Sequence, residues 1–344
     1  MSKILVILTG GTIGSCVEEN VISAKAERSA EIVKRYQASY GMAEDFTVVQ
    51  PLNELSENLH PSNWEAIIKE MDLALDKDYD GIIITHGSDT LAYTSAFLAM
   101  YYSWIDIPVA IVAANYPLED ERSNGMSNFA GAVGFIKEKV ASGVFTVYRN
   151  HNNEVDVFLP SRMLSSDPYF DQYPSFDGEV FGKMEGGRFI WNEKCPVTID
   201  MVKQHPKNKE RRMHFHYENE VLAIQTYLGI NFRNYQLTEK TKAVFISLYH
   251  SATGPITEVS GMYSFIESCE KAGVHVYGAS LKSEDMCHYQ TTDAMLKKGM
   301  RPMYNISGVA AYAKLVLAYN QNEVKPEEII KHNLFFEILE LFRK

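Results

Sequence analysis

Four short runs that are apolar throughout constrain the fold of this chain more than any other feature of its sequence. They lie at residues 4–8, 81–85, 108–112 and 144–148. A strand with one face in water alternates apolar and polar residues, whereas a strand covered on both faces does not alternate. The runs therefore predict buried strands inside a sheet that has a layer on each side.

Helix-length patterns separate these strands, at residues 63–75, 89–102 and 127–140. In the first pattern, apolar residues fall at positions 64, 67, 68, 71 and 75, which lie on one face of a helix. Strands that alternate with helices predict an open α/β sheet, and such sheets bind their ligands outside the carboxyl ends of the strands.

A charged segment near residue 200, which contains Pro196 and Pro206, interrupts the alternation, and the alternation then resumes. We interpret this segment as a linker rather than as a nucleic-acid patch, because its basic cluster is short. The predicted organisation is an α/β domain at 1–192 that carries the active-site motifs, a linker at 193–217, and a second α/β domain at 218–344.

Charge and sorting signals narrow the class of protein. Thirty-three basic and 44 acidic residues give the 344-residue chain a net charge of −11, which disfavours nucleic acid and anionic membranes as partners. No stretch approaches the roughly 18 apolar residues of a membrane span, and the amino-terminal run lacks a signal-peptide cleavage site. His214 and His216 lack a third metal ligand nearby, and no CxxC pair occurs among the cysteines. These are Cys16, Cys195, Cys269 and Cys287. We expect a cytoplasmic protein without a metal.

A glycine-rich motif, TGGTIG at residues 9–14, directly follows the first strand. Its glycines allow a sharp turn and a close approach to a ligand, and its hydroxyl residue lies where α/β proteins bind substrates. The spacing is neither GxGxxG nor GxxxxGK[ST], which disfavours nucleotide binding. A turn without chemistry is the alternative at this motif.

A second motif, THGSDT at residues 85–90, follows the next apolar run and opens a helix. Ser88, Asp89 and Thr90 are suited to the cap and first turn of that helix, which is the structural interpretation. In the functional interpretation, a hydroxyl and a carboxylate project from the carboxyl end of a strand, where they can support a nucleophile and bind a cationic group.

Together, TGGTIGS and THGSDTLAYTSAFL resemble the motifs of bacterial-type L-asparaginases, particularly the cytoplasmic type I class. A third match is PLEDERSNG at residues 117–125, followed by Asn128. The resemblance covers essentially the whole chain and is strongest in the first 140 residues. It implies a larger amino-terminal and a smaller carboxy-terminal α/β domain, and a homodimer or homotetramer. It also implies hydrolysis of a small side-chain amide without a metal or organic cofactor.

The resemblance also implies roles for three catalytic residues. Thr12 matches the nucleophile of the first motif, and Ser88 replaces the threonine of the second motif while keeping a hydroxyl. Asp89 matches the carboxylate that holds the α-ammonium group of the substrate. The nucleophile would form an acyl-enzyme, which water then cleaves.

Further positions match the family's substrate-binding groups. Ser56 and Glu57 fall where the family contacts the α-carboxylate and α-amino groups of the substrate. The backbone N–H groups of Gly11 and Ser88 are candidate oxyanion donors, each able to contribute roughly 10² to 10³ in rate.

The sequence departs from the family at the positions of the residues that transfer protons during catalysis. Val21 aligns with a tyrosine in a hairpin after the first motif, and Leu164 aligns with a lysine beside the second hydroxyl. Arg162 is close in sequence, but a guanidinium does not deprotonate in proteins and cannot act as a base. Asn124 replaces an aspartate in the third motif, and Thr253 stands where type I enzymes often have asparagine.

Three interpretations of these departures stay open. The enzyme uses replacement groups from among Tyr169, Tyr173, Lys183 and His250, or it acts on a different amide. Alternatively, it has kept the pocket without the catalysis and binds a small amino-acid-like ligand.

Overall fold

The chain folds into two compact α/β units, Met1–Arg212 and Met213–Lys344, in the computed structural model. The first unit is the larger, and the predicted fold class is therefore confirmed. The structure describes residues 1–18, 21–24, 30–207, 212–283 and 286–340.

An eight-stranded sheet forms the centre of the larger unit, in the order β10-β9-β8-β7-β6-β5-β1-β4. The strands are β1 (Ser2–Leu8), β4 (Glu44–Val49), β5 (Gly81–Thr85), β6 (Pro108–Val112), β7 (Gly143–Arg149), β8 (Val155–Phe158), β9 (Gly182–Glu185) and β10 (Arg188–Trp191). A separate hairpin consists of β2 (Ser15–Glu18) and β3 (Val21–Ala24). β4 to β7, together with β1, pair in parallel, and β8 to β10 extend the sheet with antiparallel pairs.

The four apolar runs all form strands of this sheet, as predicted. Strands β5 and β6 have the predicted bounds, and every residue of both is buried. Burial on both faces explains the absence of alternation, because a polar side chain on either face would lose its hydration.

Helices cover the sheet of the larger unit. They are α1 (Glu31–Tyr40), α2 (Trp64–Leu75), α3 (Leu91–Tyr101), α4 (Gly125–Lys137) and α5 (Ile199–Gln204). Helix α2 buries four of the five predicted stripe residues and leaves Leu75 partly buried, whereas the residues of α3 are buried on nearly all sides. Across the described ranges, no helix is long and apolar enough to span a membrane.

The domain limits at 192 and 218 stay a prediction. The division between the two compact units falls after Arg212, and helix α5 lies inside the predicted linker at 193–217. Thr198 caps this helix, because its side chain accepts a hydrogen bond of 3.1 Å from the N–H of Met201.

The smaller unit is built on a four-stranded parallel sheet in the order β11-β12-β13-β14. Its elements are β11 (Glu220–Gln225), β12 (Thr241–Ser247), α6 (Met262–Lys271), β13 (His275–Leu281), α7 (Gln290–Lys297), β14 (Arg301–Tyr304), α8 (Gly308–Tyr319) and α9 (Pro326–Lys331). A core that includes Phe232, Ile246 and Met262 packs against one face of this sheet.

A fully buried ion pair fastens the end of the described chain to α8. Lys314 and Glu337 are both inaccessible to solvent, and Lys314 Nζ lies 2.6 Å from Glu337 Oε1. Lys314 also donates to the carbonyl of His332. The two carboxylate oxygens of Glu337 accept the N–H groups of Leu334 at 2.8 Å and Phe335 at 2.7 Å. Hydrogen bonds therefore compensate both charges for the water they have lost.

We predict that Glu337→Gln lowers the free energy of unfolding by about 3–5 kcal/mol, because it leaves a buried ammonium group without its counter-charge. Chemical denaturation of the full chain measures the change. Glu340→Gln, which alters an exposed carboxylate three residues away, is the matched control and should stay within about 0.5 kcal/mol of the wild type. Equal stability of the two variants would contradict the prediction.

Candidate active site

The two sequence motifs begin at the same edge of the larger sheet. β1 and β5 are adjacent parallel strands, and Leu8 pairs with Thr85, so both chains leave the sheet side by side. Thr9 then ties the segments together: its N–H and its hydroxyl donate to the carbonyl of Thr85, at 3.3 and 2.8 Å. This edge is the carboxyl end of the parallel strands, where α/β sheets bind ligands.

Glycines bring the two motif loops into backbone contact. Gly10 and Gly11 have φ angles of +103° and +74°, which favour glycine. A Cβ atom on Gly11 would lie 2.4 Å from both the Cα and the N atom of Gly87. No side chain fits at that distance, and the loops meet because the first motif has glycine there. Thr12 and Ser88 directly follow the two glycines in contact.

A third loop, residues 53–57, completes the arrangement. The N–H of Gly11 donates to the carbonyl of Glu54 at 2.9 Å, and the N–H of Glu54 donates to the carbonyl of Thr9 at 3.0 Å. A Cβ atom on Gly87 would lie 2.6 Å from the Cβ atom of Ser56. The resemblance placed substrate contacts in this loop, and the structure brings the loop against both motifs.

The predicted catalytic side chains are partly or fully exposed. Thr12 opens a 3-10 turn, Thr12–Gly14, and it is partly buried, as is Ser88. Asp89 and Glu57 are exposed carboxylates. Three loops therefore present two hydroxyls and two carboxylates at the edge of the sheet.

Ser56 differs from the other predicted residues, because it is buried and already has hydrogen-bond partners. Its hydroxyl accepts the N–H of Asp89 at 3.2 Å, and its carbonyl accepts the hydroxyl of Thr90 at 2.9 Å. Of the two predicted oxyanion donors, the N–H of Gly11 is bonded to Glu54, and its use would require that bond to break. Within the described ranges, the N–H of Ser88 has no hydrogen-bond acceptor.

His86, inside the second motif, was assigned no role from the sequence. Its ring is fully buried, and Nδ1 lies 2.8 Å from the carbonyl of Gly87, so Nδ1 carries the proton. Nε2 has no partner among the described residues. Burial lowers the pKa of His86 to about 4, opposed by the hydrogen bond to Gly87. The neutral ring fixes the peptide that precedes Ser88.

The third motif is a network of asparagine amides that supports the neighbouring strand ends. Asn124 accepts the N–H of Asn115 at 3.0 Å and donates to the carbonyl of Arg149 at 3.0 Å. Asn128 donates to the carbonyl of Ala113 at 2.8 Å and accepts the N–H of Arg149 at 2.6 Å. The bond to the Arg149 carbonyl requires a donor, which explains why asparagine suits position 124 where the family has aspartate.

The structure describes the two positions that lack the family's proton-transfer groups to different extents. Val21 begins β3, and its side chain lies outside the described part of the chain. Leu164 is partly buried, and its N–H donates to the carbonyl of Pro174 at 2.9 Å. Arg162 is buried in an ion pair, 2.5 Å from Asp177.

Of the four replacement groups considered from the sequence, one has a described hydrogen bond to a motif residue. The hydroxyl of Tyr173 donates to the carbonyl of Ser88 at 2.5 Å. Tyr169 is 88% exposed, Lys183 forms an ion pair on β9, and His250 belongs to the smaller unit. Across the described residues, no hydrogen bond reaches the hydroxyl of Thr12, and no cluster of three or more His, Cys, Asp or Glu side chains is arranged to hold a metal.

Comparison with known proteins assigns the family. The sequence profile described as "Asparaginase, N-terminal" matches residues 3–189, more than half of the chain. The chain therefore belongs to the asparaginase family.

Two curated relatives are each named as a subunit of glutamyl-tRNA(Gln) amidotransferase. The one from Saccharolobus solfataricus is 26% identical over 352 residues, which cover 98% of this chain and 76% of that protein. The one from Sulfolobus acidocaldarius is 23% identical over 350 residues, with the same coverage.

Solved structures support the fold. L-asparaginase I from Vibrio cholerae matches with a TM-score of 0.76 and 20% identity, covering 98% of this chain and 99% of that one. The thermostable L-asparaginase from Thermococcus kodakarensis matches with a TM-score of 0.75 and 20% identity, covering 98% and 100%. A probable cytoplasmic L-asparaginase from Campylobacter jejuni matches with a TM-score of 0.73 and 19% identity, covering 98% and 100%.

We predict that His86 makes the protein less stable as the pH falls from about 6.5 to about 4. In this window the unfolded chain binds a proton on the ring and the folded chain does not, so the free energy of unfolding falls, by about 3 kcal/mol in total. His86→Gln lacks the titrating ring and should lose less stability over the same window. Denaturant titrations of both proteins at several pH values measure this difference.

The comparison between the two proteins isolates His86. Burial raises the pKa of Asp156 to about 6, and this carboxyl contributes with the opposite sign, but it does so in both proteins. At pH 8 the ring of His86 is neutral in both the folded and the unfolded chain. The difference in free energy of unfolding between the wild type and His86→Gln at this pH therefore gives the effect of the substitution that does not depend on protonation. Parallel stability curves from pH 8 to pH 4 would contradict the assignment.

Proposed function

We propose that this protein is an amidohydrolase that converts the side-chain amide of L-asparagine, or of a related small amide such as L-glutamine, into the acid and ammonia. Membership of the asparaginase family supports amide chemistry. Relatives named as part of an amidotransferase and similar structures named as L-asparaginases support the same choice. One observation carries the proposal: the contact between Gly11 and Gly87 sets Thr12 and Ser88 at one edge of the sheet.

The proposed reaction has two stages. Thr12 Oγ attacks the amide carbon, a new C–O bond forms, the C–N bond breaks, and the hydroxyl proton leaves with the ammonia. Water then attacks the Thr12 ester, which releases the acid and restores the hydroxyl. A hydroxyl is a weak nucleophile and needs a base nearby, so a group outside Thr12 must accept its proton.

The exposed carboxylates fit the amino-acid end of such a substrate. Asp89 binds the α-ammonium group in this proposal, and Glu57 adds a second negative charge beside it. In this proposal the hydroxyl of Ser88 assists at the amide group that Thr12 attacks. The N–H of Ser88 is the better-placed oxyanion donor, because the N–H of Gly11 already donates to the carbonyl of Glu54. Ser56 accepts the N–H of Asp89, and in this proposal it also contacts the substrate's α-carboxylate.

The location, cofactor requirement and partners of the protein are part of the proposal. We infer a cytoplasmic enzyme without a cofactor, a homodimer or homotetramer that binds a small molecule rather than nucleic acid or membrane. The net charge of −11 supports the lack of nucleic-acid and membrane partners, and the similarity to a Campylobacter jejuni protein named as a probable cytoplasmic L-asparaginase supports the location. The Saccharolobus solfataricus relative is named as one subunit of an amidotransferase, and a complex with a different protein is therefore the alternative to a homo-oligomer. Light scattering on the purified chain measures its mass and shows whether it forms a homo-oligomer by itself.

A second candidate function is ligand binding without hydrolysis. It is favoured by Leu164, an aliphatic side chain where the family has lysine, and by Arg162, which is engaged by Asp177. In this case the loops would bind an amino acid such as L-aspartate and leave amides intact.

We predict that Thr12→Ala lowers the rate of ammonia release from the best of L-asparagine, L-glutamine and other small primary amides by at least about 10³-fold. The variant loses the nucleophilic oxygen and keeps the fold. Thr12→Ser is the matched control, because it retains a hydroxyl and should retain measurable turnover. A coupled ammonia assay on the full chain measures all three proteins.

Two outcomes would contradict parts of the proposal. Absence of turnover by the wild type on every amide would contradict the hydrolase. Equal turnover by wild type and Thr12→Ala on an amide that both hydrolyse would contradict Thr12 as the nucleophile. Calorimetric titration with L-aspartate then tests the second candidate: tight binding without hydrolysis supports a binding protein.

A further inference from the structure

A short antiparallel ladder pairs the segment of Tyr173 with the segment that carries the position of the missing lysine. Leu164 donates its N–H to the carbonyl of Pro174 at 2.9 Å, and Phe176 donates its N–H to the carbonyl of Arg162 at 2.7 Å. Tyr173 immediately precedes Pro174. The segment that carries Tyr173 is therefore paired with the segment of Leu164, and Met163 lies opposite Ser175 in this ladder.

The backbone and the ring of Tyr173 are held firmly. Its N–H donates to Asn150 Oδ1 at 2.9 Å, and its carbonyl accepts Asn150 Nδ2 at 3.2 Å. Asn150 Nδ2 also donates to Asp156 at 2.8 Å. The ring is 1% exposed and packs edge-on against Tyr148, with 4.7 Å between the ring centroids. These contacts fix the position of the Tyr173 hydroxyl.

The Tyr173 hydroxyl contacts the peptide unit between Ser88 and Asp89, the two proposed catalytic residues of the second motif. The hydroxyl of Tyr173 donates to the carbonyl of Ser88 at 2.5 Å, and the N–H of Asp89 donates to the hydroxyl of Ser56 at 3.2 Å. Both polar ends of the Ser88–Asp89 peptide are therefore clamped. The orientation of this peptide determines where both side chains point.

We propose that Tyr173 is a positioning residue that fixes the Ser88–Asp89 peptide for catalysis. The proposal rests on the amidohydrolase function proposed above. It assigns Tyr173 a contact with the backbone of the site and no covalent step.

The phenol acts as a donor and not as a base. Burial, followed by the nearby Tyr148 and the carboxylate of Asp89, raises the pKa of Tyr173 well above its ordinary value. The hydroxyl consequently stays protonated at neutral pH. Its removal should lower the rate without removing either limb of the pH–rate profile near neutrality, whereas loss of a general base would remove one.

The test compares Tyr173→Phe with the wild type in the full chain. The variant keeps the ring that packs on Tyr148 and removes the hydrogen bond to Ser88. We expect kcat/KM for the best amide to fall about 10- to 100-fold, mainly through kcat, with the shape of the pH profile unchanged. Tyr169→Phe, in the same segment but 88% exposed, is the matched control and should leave kcat/KM unchanged.

Each outcome supports or overturns the proposal. A wild-type kcat/KM in Tyr173→Phe overturns it and leaves the proposed function intact, even if the unfolding midpoint falls. Loss of one limb of the pH profile also overturns it in favour of a base. Loss of rate with a lowered unfolding midpoint is compared with Tyr148→Phe, which keeps the ring contact, at a temperature well below the midpoint of every variant. A fall in rate that Tyr148→Phe does not share supports positioning, and an equal fall in both variants overturns it.

The experiment also separates failure of the inference from failure of the function. If the wild type hydrolyses no amide, the proposed function falls, and calorimetric titration with L-aspartate replaces the rate. An affinity at least tenfold weaker in Tyr173→Phe than in the wild type then supports positioning. Equal affinities, or no binding by the wild type, overturn it.

Discussion

The contact between Gly11 and Gly87 is the constraint on which the rest of the site depends. The two backbones approach so closely that a Cβ atom on Gly11 would lie 2.4 Å from the next loop. This approach is available because β1 and β5 are parallel neighbours whose chains leave the sheet at the same edge. Since Thr12 and Ser88 directly follow the two glycines, a contact between backbones sets the position of two hydroxyls. Any side chain at Gly11 would push the loops apart.

Neutral hydrogen bonds hold the Ser88–Asp89 peptide and the peptide before it in place. Ser56 and Tyr173 clamp the two ends of the Ser88–Asp89 peptide, and the neutral ring of His86 fixes the peptide before it. Burial raises the pKa of the Tyr173 hydroxyl, which stays neutral where carboxylates change charge, whereas the ring of His86 is neutral only above its pKa of about 4. The charged groups of the site, the carboxylates of Asp89 and Glu57, lie at the exposed side, where an ammonium group of a ligand can meet them.

The sequence predicted the buried part of the fold well and its periphery poorly. Gly81–Thr85 and Pro108–Val112 have the predicted bounds, because burial on both faces leaves an unmistakable apolar run. The antiparallel strands β8 to β10 are short and partly polar, and no such run marks them. The motifs and the family resemblance predicted which loops meet at the edge of the sheet, and the roles of Thr12, Ser88 and Asp89 stay predictions. The bond between Tyr173 and Ser88 joins residues 85 positions apart, and only the folded chain reveals it.

The most direct test of this account is a crystal structure of the Thr12→Ala variant with L-asparagine bound. We expect the amide carbon beside position 12 and the hydroxyl of Ser88, and the α-ammonium group against the carboxylate of Asp89. We also expect the bond from Tyr173 to the Ser88 carbonyl to be intact. A ligand bound elsewhere in the larger unit, or loops in which Gly11 and Gly87 no longer touch, would contradict the account.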